Sequence, residues 1–188
     1  TRSGYAELWG LTEGSFTFLG TDEIADHIET VGRPAAGCEL RILSDEDQDI
    51  TGEGPGEIIA RSVSLMDGYW NRPDANEEAL WVSPDGEPYF RTGDIGEIDK
   101  DGRLSIRGRK KEMLISGGYN VYPADIEAVC QRHEDVRFAA VIGAPHPKWG
   151  EVPVAFIVFK AEANSSPEAF MEWVNERVSK PQRLSDIV

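Results

Sequence analysis

The residues best equipped for chemistry crowd between Phe90 and Glu127. Asp94 follows Arg91-Thr92-Gly93, where glycine allows backbone angles closed to other residues and lets a ligand come close. A carboxylate held there can accept two hydrogen bonds at once, which suits a vicinal diol such as ribose. Downstream, Arg107, Arg109, Lys110 and Lys111 place four cations among five positions, enough to bind a small anion locally. Arg109 brings a guanidinium fork of fixed donors, although residue type alone favours a solvated surface arginine in a charge run. Gly117-Gly118 lacks side chains and leaves bare backbone, which is also what a simple bulge or turn would need. Near the start, Thr12-Glu13 follows Trp9-Gly10-Leu11, and on residue types alone the pair reads as a turn cap sooner than as a binding element.

These groups need elements to position them. Ile95 and Ile98, then Leu104 and Ile106, flank Lys100-Asp101-Gly102-Arg103, so two strands reverse at an Asp-Gly turn and deliver the basic run to one place. Gly108 to Glu112 interrupts the alternation as a short, charged connector with few core contacts to restrain it. Met113-Leu114-Ile115 resumes an apolar strand, and Pro123, with Asp125 and Glu127 at the positive end, opens a helix carrying Ile126, Val129 and Cys130. Phe138 to Ile142 and Val152 to Phe159 are apolar strands. Phe170, Trp173, Val174 and Val178 form a second helical stripe after Ser166-Pro167.

The earlier half reads as short strands and turns. Cys38, Leu40 and Ile42 alternate with polar neighbours, Ser44 to Gly56 is a polar loop, and Glu57 to Arg61 is a second strand. Met66 to Pro73 reads as a packed irregular turn, Ala75 to Trp81 as a short helix, and the stretch before Gly32 as a strand end followed by mixed polar loop. The expected class is α+β: a small antiparallel β-barrel-like subdomain followed by a compact βαββα domain.

Composition narrows the function classes. The 188 residues are 40% hydrophobic and 28% charged, with no run of about 18 apolar residues, so no membrane span is expected. Net charge is -15, and residues 1–108 carry 9 basic and 23 acidic groups against 10 and 11 in residues 109–188. That balance disfavours a nucleic-acid partner, which needs many phosphate contacts from Lys and Arg. Cys38 and Cys130 are far apart, without a C-x-x-C pattern, and are expected to be core thiols in a reducing, cytoplasmic setting. His27, His133 and His146 give no metal pattern, and no feature signals an oligomeric state.

The string Gly108-Arg109-Lys110-Lys111-Glu112-Met113-Leu114-Ile115-Ser116-Gly117-Gly118-Tyr119-Asn120-Val121-Tyr122-Pro123-Ala124-Asp125-Ile126-Glu127, with Phe90-Arg91-Thr92-Gly93-Asp94 upstream and Leu8-Trp9-Gly10-Leu11-Thr12-Glu13 near the start, resembles the carboxyl-terminal portion of adenylate-forming enzymes. Acyl-CoA synthetases, or fatty-acid CoA ligases, are the nearest in kind. Three motifs in the family's order and spacing carry the resemblance across essentially the whole chain.

The resemblance implies an AMP-forming acid–thiol ligase that uses ATP, Mg2+ and coenzyme A on a carboxylic, notably fatty, acid. Residues 1–32 would be the tail of the large nucleotide-binding domain, 33–110 the β-rich subdomain, and 111–188 a mobile lid that stops short of the family's terminal lysine motif. Trp9 stands where the family carries an adenine-stacking tyrosine, so the ring is kept and the hydroxyl lost. Thr12 would meet phosphate, Glu13 the magnesium, Asp94 the ribose hydroxyls, and Arg109 ribose or phosphate. Lys111 would be the hinge, and Gly117, Gly118 and Tyr119 would line the path of a pantetheine arm. Trp149 is a weak ligand candidate and a better packing residue; Lys160 and Lys180 lack the context of the catalytic lysine. The phosphate-cradling loop and that lysine fall outside this sequence, so the isolated chain is expected to be inactive. An aryl-CoA ligase, an adenylation domain loading a carrier protein, and a non-catalytic module of the same fold are the alternatives.

Overall fold

The computed structural model describes residues 4–188, and its contacts divide the chain into two units, Thr1–Lys110 and Lys111–Val188. The first unit opens with a three-stranded antiparallel sheet of β1 (Glu7–Gly10), β2 (Phe16–Leu19) and β3 (Arg33–Pro34). β2 was hidden in the sequence because its alternation runs against expectation: Phe16 and Phe18 face outward, while Thr17 is buried and its hydroxyl donates to the Val31 carbonyl at 2.5 Å.

A five-stranded antiparallel sheet comes next: β4 (Cys38–Leu43), β5 (Gly56–Ser62), then, beyond helix α1 (Pro73–Glu78), β6 (Leu80–Val82), β7 (Pro88–Ile98) and β8 (Leu104–Arg109). The helix expected over Ala75 to Trp81 therefore shifts and ends early. Pro73 starts it, and Leu80-Trp81-Val82 instead pairs with Pro88-Tyr89-Phe90 across the Pro84-Asp85-Gly86 turn, Trp81 meeting Tyr89 edge-on at 5.7 Å. β7 runs through the middle, pairing with β6, β5 and β8 in turn, and register shifts at Ile95/Gly96 and between Glu57 and Ile59 curl the sheet. Gly96 sits where an added Cβ would lie 2.5 Å from the Ser105 carbonyl, so only glycine allows the strands to approach there. Leu40, Ile42, Ile58, Ala60 and Leu104 fill one face of this sheet; Leu43, Ile59 and Tyr89 fill the other. The division expected at 32/33 falls inside this unit, where Val31 and Gly32 exchange backbone bonds with Leu104.

Tyr89 anchors a charged cluster. Its buried hydroxyl donates to Glu39 at 2.5 Å, Arg61 and Arg41 also reach Glu39, and both guanidiniums lie over the Tyr89 ring. The Tyr89 hydrogen bond, followed by those from the arginines, lowers Glu39 from 4.5 to about 2, while burial and the same bond push Tyr89 up to about 12. A depressed carboxylate supports the fold above its unfolded pKa and loses that support as pH falls through its folded one. Melting temperature should therefore fall more steeply between pH 4.5 and about 2 in the native chain than in Glu39→Gln. Parallel curves would show that Glu39 adds nothing to acid stability.

The second unit begins with a hairpin, β9 (Leu114–Ser116) and β10 (Tyr119–Val121), rather than the single strand expected. Helix α2 (Pro123–Gln131), strands β11 (Val136–His146) and β12 (Gly150–Phe159), helix α3 (Pro167–Asn175) and a short β13 (Asp186–Ile187) complete it. The sheet order is β10-β9-β12-β11, with β13 parallel to β12. Both helices start at a proline in the first turn, and Ser166 caps α3 by accepting from the Ala169 amide at 3.2 Å. Ile126, Cys130, Phe170 and Val174 pack with Val141 and Ala155 into one core, and His133 is set edge-on between Phe170 and Trp173. Both cysteines are free; Cys130 is a core thiol, held up at about 11 by burial, whereas Cys38 is only half-buried and reaches the Ser62 hydroxyl at 3.4 Å.

Candidate functional site

A cleft of about 830 Å³ opens in the first unit between the turn after β1 and the middle of β7. Thr92, Gly93 and Arg109 line one side, and Asp94, the cross-strand partner of Arg109, lies behind them and is absent from the lining. β7 and β8 place Asp94 opposite Arg109, and Arg109 Nε donates to Asp94 Oδ1 at 2.8 Å. Asp94 is 4% exposed, whereas the Arg109 side chain is 47% exposed, so the carboxylate lies beneath and the cation reaches out. Arg109 also donates to the Thr92 carbonyl at 3.2 Å, and the Thr92 hydroxyl spans from the Asp94 amide to the Ile58 carbonyl. Gly93 adopts φ +70° between them, the backbone setting that turns this strand segment and explains the glycine of Arg91-Thr92-Gly93-Asp94.

The opposite wall is the Thr12–Glu13 turn. Glu13 Oε1 accepts from the Tyr69 hydroxyl at 2.8 Å and Oε2 from the Thr12 hydroxyl at 3.1 Å. The Tyr69 bond is the main cause that lowers the Glu13 pKa, and burial raises that of Tyr69. A carboxylate has about four acceptor positions, so two donors leave capacity for a hard cation. Among the described residues no three His, Cys, Asp or Glu side chains gather as a metal cage, so a cation here would take its other ligands from a substrate. That is the usual habit of Mg2+, which binds through one or two carboxylates plus phosphate oxygens. Tyr69 and Arg91 also line the cleft, and sequence reasoning passed over both as site residues; the irregular Met66 to Pro73 stretch has no periodicity to flag it.

Trp9 packs against the cluster of Leu40, Ile42 and Leu104 and is absent from the cleft lining. The basic run is not slack: Arg107 pairs with Glu97, Arg109 with Asp94, and Lys110 Nζ meets the buried Glu57 at 2.8 Å. Glu57 also receives Arg91 at 2.7 Å. β8 thus continues to Arg109, and the connector shrinks to a single 3-10 turn over Lys110–Glu112.

In the second unit, a pocket of about 400 Å³ forms beside the β9–β10 turn, lined by Gly117, Tyr119, Trp149, Lys180, Pro181 and Arg183. Gly117 has φ +60°, which favours glycine, and an added Cβ would stand 3.1 Å from the Trp149 ring, a tight contact. Gly118 has φ +83° with open space beside it, and Tyr119 is 64% exposed. The Gly117 amide donates to the Trp149 carbonyl at 2.8 Å, which fixes that turn to the β11–β12 connection. The three residues expected on a pantetheine path therefore share one turn, with an aromatic wall and two cations that the sequence had not joined to them.

Residues 3–70 match the AMP-binding enzyme family, and residues 125–188 match the AMP-binding enzyme C-terminal domain family. The long-chain-fatty-acid–CoA ligase FadD13 of Mycobacterium tuberculosis is 39% identical over 180 residues, covering 94% of this chain and 33% of the relative. Curated relatives include ligases for fatty, aryl and other acyl substrates, and the chain spans about a third of their length. Among solved structures, ATP-bound MatB from Rhodopseudomonas palustris superposes with TM-score 0.88 at 28% identity, covering 100% of this chain and 37% of that one. The amide bond synthetase McbA from Marinactinospora thermotolerans gives 0.85 at 32%, covering 97% and 36%. No helix among the described residues is long and apolar enough to cross a membrane.

Proposed function

The chain belongs to the AMP-binding, adenylate-forming enzymes, and from that premise we propose that it is the carboxyl-terminal part of a ligase that converts a carboxylic acid, notably a fatty acid, into its coenzyme A thioester. The observation that carries this reading is the arrangement of the first unit's cleft: a buried Asp94 under an outward Arg109 on one side, and Thr12 with Glu13 on the other. In the first step a carboxylate oxygen attacks the α-phosphorus of ATP, the α–β phosphoanhydride bond breaks, and pyrophosphate leaves. Asp94 would accept from the ribose hydroxyls and fix the sugar. Arg109 would donate to ribose or phosphate oxygens, and Thr12 would donate to the α-phosphate by turning its single hydroxyl proton away from Glu13, which then keeps Tyr69 as its partner. Such preset donors act most strongly where charge develops in the transition state. Glu13 would hold Mg2+, which when bound neutralises phosphate charge.

In the second step a thiol attacks the acyl carbon and AMP departs. Gly117 and Gly118 would give the slender arm of the acceptor a side-chain-free track, with Tyr119 beside it. Trp149, Lys180 and Arg183 around the same pocket favour an acceptor that carries a ring and phosphates, as coenzyme A does, over a free amine. Residues 111–188 would form a lid that turns about Lys111 between the steps.

The test is acceptor dependence in the full-length ligase bearing this segment. With ATP and a panel of fatty and aryl acids, mass spectrometry should find acyl-CoA only when coenzyme A is supplied. Product formation with a phosphopantetheinylated carrier or an amine but not with coenzyme A would replace the thioester reading, and no AMP-dependent change of any kind would favour a non-catalytic module.

A further inference from the structure

We propose that Tyr69 is a positioning residue for the adenylation step, holding the Glu13 carboxylate in the orientation in which it meets the nucleotide-bound metal. The proposal rests on the reading of Glu13 given above and adds a residue to it. Glu13 sits on a turn with little structure of its own, and what fixes it arrives from residues far along the chain. The Tyr69 hydroxyl donates to Oε1 at 2.8 Å across a separation of 56 residues, while Thr12 takes Oε2. The backbone is tied at the same place: the Met66 amide donates to the Glu13 carbonyl at 2.8 Å, and the Ser64 hydroxyl to the Gly14 carbonyl at 2.5 Å. Gly14 has φ +113°, and an added Cβ would lie 1.9 Å from the Ser64 carbonyl oxygen, so this contact is closed to any other residue.

Tyr69 is itself held from behind. The Asn76 side chain on α1 accepts from the Tyr69 amide at 2.7 Å and donates to the Tyr69 carbonyl at 3.2 Å. Gly68, at φ +142°, lies where a Cβ would be 3.1 Å from the Asn76 amide group. The ring tilts against Phe90 at a centroid distance of 6.5 Å. Asn76, Tyr69 and Glu13 thus form a chain of single, directed contacts that starts on a helix and ends at the cleft. A glutamate has three rotatable side-chain bonds; with Oε1 held by the Tyr69 hydroxyl, a hold that lasts when Thr12 turns to phosphate, it presents one face to the cleft instead of sampling many. Partners that orient a ligating carboxylate are worth about 10- to 100-fold in metal affinity.

Tyr69→Phe removes the hydroxyl and keeps the ring, and the readout is Mn2+ binding to the full-length ligase with ATP, monitored by electron paramagnetic resonance. The expected result is Mn2+ binding weakened by about tenfold, with AMP affinity in the absence of metal unchanged and Asn76→Ala moving Mn2+ binding in the same direction by less. Glu13→Gln, measured alongside, separates the two claims. If Glu13→Gln weakens Mn2+ binding and Tyr69→Phe does not, the positioning role is overturned while Glu13 keeps its part. If Glu13→Gln leaves Mn2+ binding intact, the metal reading itself falls and the role of Tyr69 falls with it. Equal losses of metal and metal-free AMP binding in Tyr69→Phe would mark it as a residue that only supports the fold.

Discussion

Lys111→Pro in the full-length ligase is expected to slow thioester formation from preformed acyl-adenylate by about a hundredfold, the scale of loss when reacting groups are misplaced by about 1 Å, while adenylation changes far less. Two observations support a pivot here. Contacts divide the chain between Lys110 and Lys111, and the basic residues just before that point are tethered: Arg107 to Glu97, Arg109 to Asp94, Lys110 to Glu57. A change of dihedral angle would therefore be absorbed within the short turn of Lys110–Glu112, ahead of β9. Fixing φ at Lys111 should hold the lid in one orientation, and the step that needs the other one suffers. Stopped-flow measurement of the two half-reactions decides it. Equal losses in both would indicate damaged folding, and full activity in both would remove Lys111 from the hinge.

Asp94→Ala should weaken nucleotide binding by roughly 1.5 to 3 kcal/mol, about 10- to 150-fold, as hydrogen bonds to a charged group are worth. The geometry adds a second consequence. Asp94 is the buried partner of Arg109, so removing it also frees the guanidinium that lines the cleft. Asp94→Asn keeps an acceptor and should cost less. Calorimetry with AMP on Asp94→Ala, Arg109→Ala and the double variant would show coupling, with the double loss smaller than the sum of the single ones. Additive losses would mean that the two side chains contact the nucleotide independently, and an unchanged affinity in Asp94→Ala would mean the carboxylate serves only to hold Arg109.

What the sequence determined on its own was local. The Asp-Gly reversal before Leu104, the helices opened by Pro123 and Pro167, and the glycines at 93, 117 and 118 all arise from backbone rules that act over a few residues. The three motifs identified the enzyme family because their residue types and order are read without knowing where the chain goes. Tertiary structure decided whatever depends on pairing between distant segments. Leu80-Trp81-Val82 became a strand because Pro88-Tyr89-Phe90 lies beside it, and Phe16–Leu19 became one although one of its two buried positions is a threonine. Trp9 lies half-buried against a core cluster, and the cationic run, legible as a loose connector, was tied down by carboxylates that lie up to 53 residues away. The partners of Glu13 and Asp94 were set in the same way, since Tyr69 and Glu13 are 56 residues apart and the Asp94–Arg109 pair exists only through the register of β7 and β8. Periodicity reports which face of an element is apolar. It carries no information on which polar group from another element will stand within about 3 Å, because that is settled by sheet register and by the close backbone approaches that glycines such as Gly14 and Gly96 permit.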